Sequence, residues 1–120
     1  MRQTLGRLAV ELADAERLGR RFVWHAGRGE HVPALASMVK VVSTELLQRL
    51  ACDAAVVTGP SGVVTVELFG DRSRPPGAAG GGRLAWEYLE RVHASIGAGA
   101  NEVHRDTIAV AALGRVAREG

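Results

Sequence analysis

One cysteine, one lysine and five aromatic residues are all that this sequence of 120 residues holds of those types. With Cys52 alone, no intramolecular disulfide can form and no cysteine-based zinc site is expected, as suits a reducing cytoplasm. No apolar run approaches the roughly 18 residues that a membrane-spanning helix needs. The amino-terminal stretch Met1–Leu18 is charged and amphipathic and has no apolar signal-peptide core. These absences predict a cytoplasmic protein with no membrane partner. The basic residues are fourteen arginines and Lys40, spread along the chain at a net charge of +2. Without a basic stripe no nucleic-acid partner is expected. Aromatic residues are 4% against 47% apolar overall, so the core must be built from Ala, Val and Leu. That composition favours close-packed helices over a sandwich of aromatic-rich strands, and the length allows one domain.

What is present is helical periodicity. Leu5, Leu8, Leu12, Ala15 and Phe22 recur at spacings of three, four or seven, with Arg7, Glu11, Asp14 and Arg21 off that stripe. The pattern predicts an amphipathic helix of about 22 residues ending near Ala26-Gly27-Arg28-Gly29. After Pro33 a second helix is predicted over Ala34–Thr58, antiparallel to the first. Leu35, Met38, Val39, Val42, Leu46 and Leu50 lie on one side of it, and Val41, Leu47, Ala51, Ala54 and Ala55 on the other. A helix apolar nearly all round is normally a buried central element, and this chain has few other helices to cover it. Arg49 and Asp53 stand at i, i+4 on an otherwise apolar side; they either pair with each other or answer a partner chain.

Residues 59–82 hold seven of the fifteen glycines and three of the four prolines, which predicts a long loop in which Val63–Phe69 alternates enough to be extended. A short helix is predicted over Leu84–Ala94. The run Ile96-Gly97-Ala98-Gly99-Ala100 then breaks the pattern before Asn101, as N-cap, opens a last helix to about Arg118. The expected architecture is all-α, a single domain over residues 1–120. It is an up-and-down bundle fragment of two long antiparallel helices, a Gly/Pro-rich loop over 59–82, one short helix and a C-terminal helix.

Few of the local motifs carry chemistry. Gly97-Ala98-Gly99-Ala100-Asn101-Glu102 begins like a dinucleotide-binding loop, but the third glycine is replaced by Glu102 and no strand precedes it. Gly59-Pro60-Ser61-Gly62 lacks the last glycine of a nucleophile elbow and leaves a helix rather than a strand. His25, His31, His93 and His104 show no metal-ligand spacing and read as surface histidines. Cys52, in mid-helix among alanines, reads as a small buried thiol. Glu11, Asp14, Glu16 and Glu45 lie next to basic residues and read as solvated ion pairs, not as an acid/base couple.

Three segments taken together resemble the C-terminal helical domain of the flavin-dependent acyl-CoA dehydrogenase family. Ala36-Ser-Met-Val-Lys-Val-Val-Ser-Thr-Glu45 resembles that family's SMAKxxxSE helix. Val56-Val-Thr-Gly-Pro-Ser-Gly-Val63 falls where a glycine-rich QxxGGxG or GPxG turn follows it. Trp86-Glu-Tyr-Leu89, with Ser95-Ile-Gly-Ala-Gly-Ala-Asn-Glu-Val-His-Arg105, resembles the closing motif W-x-Y-L…S-I-Y-G-G-T-S-E-I-Q-R. Order and spacing agree along essentially the whole chain.

The resemblance implies a bundle entered within its second helix and FAD bound between subunits. An acyl-CoA thioester would lose hydrogens from Cα and Cβ, its α proton to a glutamate and a hydride to flavin N5. In one branch of the family that glutamate precedes the Gly-Thr of the closing motif. The corresponding residue here is Ala98, which cannot accept a proton, so no catalytic residue is expected in this chain. In another branch the base lies on the first bundle helix. The family threonine that touches the adenosine half of FAD corresponds to Ala100, the glutamine of the glycine-rich turn to Val56 and one of its glycines to Pro60. Arg105 is retained, and Gly59, Gly62, Gly99 and Glu102 are the positions offered as FAD contacts, in a site completed by a partner chain. The expected partners are further copies of this chain or a complementary dehydrogenase subunit, with acyl-CoA as substrate of the assembly. The alternative is a catalytically inactive helical oligomerisation module.

Overall fold

The computed structural model describes residues 2–64 and 77–119, with side chains as far as 114. Helix α1 spans Arg2–Gly27, α2 Pro33–Thr58, α3 Arg83–Ala94 and α4 Asn101–Glu119. Single 3-10 turns over Gly59–Gly62 and Ala79–Gly82 occupy the two ends of the Gly/Pro-rich stretch. No strand occurs among the described residues. The all-α architecture expected from periodicity is therefore the one observed. α1 is longer than predicted by about a turn, because Arg2–Thr4 extend the helix ahead of its first leucine. Of the expected extended stretch, Val63 stands in a turn with φ −98° and ψ −4°, and residues 65–69 lie outside the described residues.

The chain reverses between α1 and α2 where glycine permits it. Gly29 takes φ +73° and donates its N–H to Ala26 O at 2.9 Å, and Pro33 starts α2 at a position where its missing N–H costs nothing. Side chains tie the corner. His25 Nδ1 lies 2.6 Å from Glu30 Oε2, Arg28 Nε donates to Glu30 Oε1 at 2.9 Å, and the Arg28 guanidinium lies 4.8 Å from the Trp24 ring centre. The bonds from His25 and then Arg28 hold the Glu30 carboxyl below its ordinary value.

α2 is the axis of the molecule, and α1, α3 and α4 each pack against it. α1 runs antiparallel to it, and two ion pairs fix the register. Arg7 Nη2 meets Asp53 Oδ2 at 2.8 Å, and Arg49 Nε meets Glu11 Oε2 at 3.2 Å. Arg49 and Asp53 thus do not pair with each other. On adjacent turns of α2 they face Glu11 and Arg7, which stand at i, i+4 on α1 with the opposite signs. α3 descends antiparallel along α2: Gln48 Nε2 donates to Arg91 O at 3.1 Å, and the chain end of α3 reaches Lys40.

The apolar core is thin. Among the described residues only Val41, Leu46 and Ala51, all on α2, are buried hydrophobic residues, whereas Leu5 and Leu12 on α1 and Val110 and Leu113 on α4 stay more than half exposed. Cys52 is exposed, contrary to the expectation of a buried thiol, because it lines an open groove at the carboxyl end of α2 instead of meeting a neighbouring helix closely. The radius of gyration is 18.2 Å, against about 14 Å for a compact domain of this length. The accessible surface is 8643 Å², against about 6,200 Å² for a closed monomer of this mass. The helices form an open layer around α2.

Candidate functional site

The strongest concentration of specific bonds joins the first half of α2 to the turn between α3 and α4. Ser37, Lys40 and Thr44 recur at three-, four- and seven-residue steps, so they share one face of α2, with Glu45 at its edge. Lys40 Nζ donates to Ser95 O at 3.1 Å, Gly99 O at 2.7 Å and Asn101 Oδ1 at 2.6 Å. Asn101 is 4% exposed. Its Nδ2 donates to Thr44 Oγ1 at 3.1 Å and Glu45 Oε1 at 3.4 Å, and its main-chain N–H to Ser95 O at 3.0 Å. Glu45 also pairs with Arg105.

Asn101 was expected as the N-cap of the last helix; the structure places it one step inside. Ala100 O accepts the first helical bond, from His104 N at 3.2 Å, and α4 begins at Asn101. The side-chain oxygen that would cap α4 is taken by the Lys40 ammonium, a charged donor and so the stronger one.

His104 bonds through both ring nitrogens. Nδ1 lies 3.0 Å from the hydroxyl of Ser37, a residue 4% exposed, and Nε2 lies 3.2 Å from Ala98 O. A carbonyl only accepts, so Nε2 carries a hydrogen, and in the neutral ring Nδ1 accepts from Ser37. This half-buried histidine is not the surface residue that spacing alone suggested. Ala98 sits at φ +57°, the only non-glycine with positive φ among the described residues, and Gly99 follows at φ +95°. A Cβ on Gly99 would stand 3.1 Å from His104 Nε2, so glycine there suits both the backbone and the close approach of the ring.

The other proposed positions lie elsewhere. Gly59 ends α2 at φ +62° and Gly62 closes the 3-10 turn behind it, buried, where a Cβ would collide with Thr58 Oγ1 and meet Ala55 O at 2.8 Å. Lys40 and Thr44 hold the Gly99–Glu102 segment, and Gly59 lies some seventeen residues further along α2. At 1.5 Å per residue the two pairs, Gly59 with Gly62 and Gly99 with Glu102, are about 25 Å apart. One copy of the chain therefore does not gather Gly59, Gly62, Gly99 and Glu102 into one cradle. Gly99 and Glu102 are exposed where α4 starts, and Ala98 beside them presents only a methyl group.

At the Gly59 end, Cys52, Ala55, Val56, Pro60, Val63 and Tyr88 line an open, almost wholly apolar groove of about 530 Å³. Among the described residues no group of three His, Cys, Asp or Glu side chains is placed to hold a metal. No helix there is long and apolar enough to cross a membrane.

Sequence reasoning missed Lys40, Thr44 and His104 as a unit. Ser37, Lys40, Thr44 and Glu45 all lie in the segment that resembles SMAKxxxSE, and Ser95, Gly99, Asn101, His104 and Arg105 in the one that resembles the closing motif. The two segments are bonding partners, and their helical spacing was the signal that could have joined them.

No curated protein matches the sequence. A chain of the Tcur3481-Tcur3483 steroid ACAD, solved as a variant, shares the fold with a TM-score of 0.81 at 24% identity; the match covers 94% of this chain. This sequence spans 28% of the length of that chain. The family model described as "Acyl-CoA dehydrogenase, C-terminal domain" matches residues 1–113. A match over that length, on a helical fold whose two motif segments lock together, places the chain in the acyl-CoA dehydrogenase family.

Proposed function

We propose that this chain, as a single C-terminal-type domain, contributes helices and one edge of a flavin site to a larger acyl-CoA dehydrogenase assembly in the cytoplasm. It holds no catalytic base of its own. The observation that carries this reading is the Ser95–Asn101 turn, held by Lys40 and His104 so that Gly99 and Glu102 stay exposed at the start of α4. The open layer around α2 supports it, because exposed apolar faces on α1 and α4 call for further helices, from copies of this chain or from a complementary dehydrogenase subunit.

FAD fits this chain only as an edge contact. The two proposed contact pairs, Gly59 with Gly62 and Gly99 with Glu102, are too far apart to meet one point of a cofactor from a single copy, whereas a cofactor held between chains can meet one pair from each. When bound, FAD would supply the acceptor for the hydride of an acyl-CoA thioester. The residues of this chain would exclude water and orient, and the proton would go to a base on another chain, since Ala98 has no group to take it.

A second reading, an inactive helical oligomerisation module, is favoured by one observation: the exposed methyl group of Ala98 at the position of the family base. Light scattering and thermal unfolding with added FAD, on the chain mixed with a dehydrogenase partner, separate the two. The subunit reading expects FAD to raise the unfolding temperature by ligand linkage. A defined dimer or tetramer whose unfolding temperature ignores FAD selects the module.

A further inference from the structure

We propose that Lys40 is a positioning residue, its ammonium group latching the Ser95–Asn101 turn so that the backbone amides of Gly99 and Ala100 face outward beside Glu102. The three N–H bonds of Lys40 are all used, on Ser95 O, Gly99 O and Asn101 Oδ1, and no acidic side chain pairs with it among the described residues. Its charge is balanced by neutral oxygens, one of them Ser95 O just past the negative end of the α3 dipole. A compact ammonium reaches three acceptors in three directions, which a planar guanidinium does not; the sole lysine of an arginine-rich chain stands where that geometry is required.

The consequence follows from peptide planarity. In a trans peptide the N–H points opposite to the preceding C=O. Gly99 O is turned in to Lys40 and Ala98 O to His104, so the N–H groups of Ala100 and Gly99 are turned out. Among the described residues neither amide has a main-chain partner. Two successive outward donors next to Glu102 are what an edge contact with a bound acceptor requires. This last step rests on the flavin reading, whereas the latch is a property of the chain alone.

A single lysine makes the test direct. Amine labelling of the full chain, read by mass spectrometry at Lys40, is expected to run at least about tenfold slower in the folded chain than in urea, the protection that hydrogen bonds to a charged group confer. Equal rates with helix content intact overturn the latch. In Lys40→Met, circular dichroism is expected to retain the helices while the ring ¹⁵N shifts of His104 lose the single tautomer that its bond to Ala98 O imposes; unchanged shifts overturn it too. In the assembly with a dehydrogenase partner, Lys40→Met is expected to weaken FAD affinity about tenfold, the loss of one charge-assisted contact network. Unchanged affinity overturns the positioning role. If the unsubstituted assembly binds no FAD, the proposed function falls, and the labelling and His104 measurements still decide the latch.

Discussion

At the scale of single residues, the turn before α4 stores strain and relieves it elsewhere. An L-residue in the left-handed region costs about 1 kcal/mol, and Ala98 at φ +57° bears that cost while His104 and Lys40 fasten the carbonyls on either side of Gly99 N. Ala98→Gly is therefore expected to stabilise the chain by about 0.5–1 kcal/mol, read as a raised unfolding temperature, with no change in helix content. Asn101 works in the opposite sense. It is buried and fully bonded, and Asn101→Ala leaves the Lys40 ammonium one acceptor short, with an expected loss of about 1–3 kcal/mol in denaturant unfolding. These roles were only partly legible in the sequence. Glycines and small residues announced a turn at 96–100, but main-chain carbonyls gathered around Lys40 depend on how α3 and α4 lie on α2, and side-chain spacing does not carry that. Asn101 looked like a cap because it precedes an apolar run; a stronger donor on another helix claimed its oxygen.

At the scale of elements, α2 holds everything else. Its bounds and those of the shorter helices were legible because Gly, Pro and a 3.6-residue apolar rhythm punctuate the chain plainly. The partners of Arg49 and Asp53 were not, since the i, i+4 rule sees one helix and the opposing charges stand on α1. Those pairs set register more than stability, as partly exposed ion pairs contribute about 0.2–1 kcal/mol each. The buried apolar set on α2 matters more. Leu46, 3% exposed, is its deepest member, and Leu46→Ala is expected to cost about 2–4 kcal/mol in denaturant unfolding, more than any charge substitution on α1.

Along α3 the Glu87 carboxylate bonds to Arg91 at 2.6 Å and Arg83 at 3.3 Å. Burial pushes its pKa up, yet the bonds from Arg91 and then Arg83 prevail and hold it below the ordinary value of 4.5. A carboxyl lowered on folding stabilises the fold above its unfolded pKa, and that stability is lost as pH falls through the lower folded value. Glu87→Gln should accordingly destabilise the chain at neutral pH by about 0.5 kcal/mol after solvent screening. The difference from the parent should shrink below about pH 4.5 in acid-unfolding curves.

At the scale of the whole molecule, the open layer decides what the chain can do. Three buried apolar side chains among the described residues do not make a closed core, and the apolar faces left on α1 and α4 are of the kind that other helices cover. The scarcity of aromatic residues points the same way, since few large rings remain to stack on a flavin. Sequence reasoning reached this point from the apolar girth of α2, and it offered Gly59, Gly62, Gly99 and Glu102 as contacts with a flavin held between chains. The length of α2 separates them, a distance that no motif comparison registers. The most direct measurement is the bound flavin and acyl-CoA turnover of a reconstituted dehydrogenase assembly, prepared with and without this chain. The expectation is a colourless isolated chain, and flavin with turnover only when chain and partner are combined. A partner that holds its full flavin complement and turns over acyl-CoA equally well without this chain would contradict it.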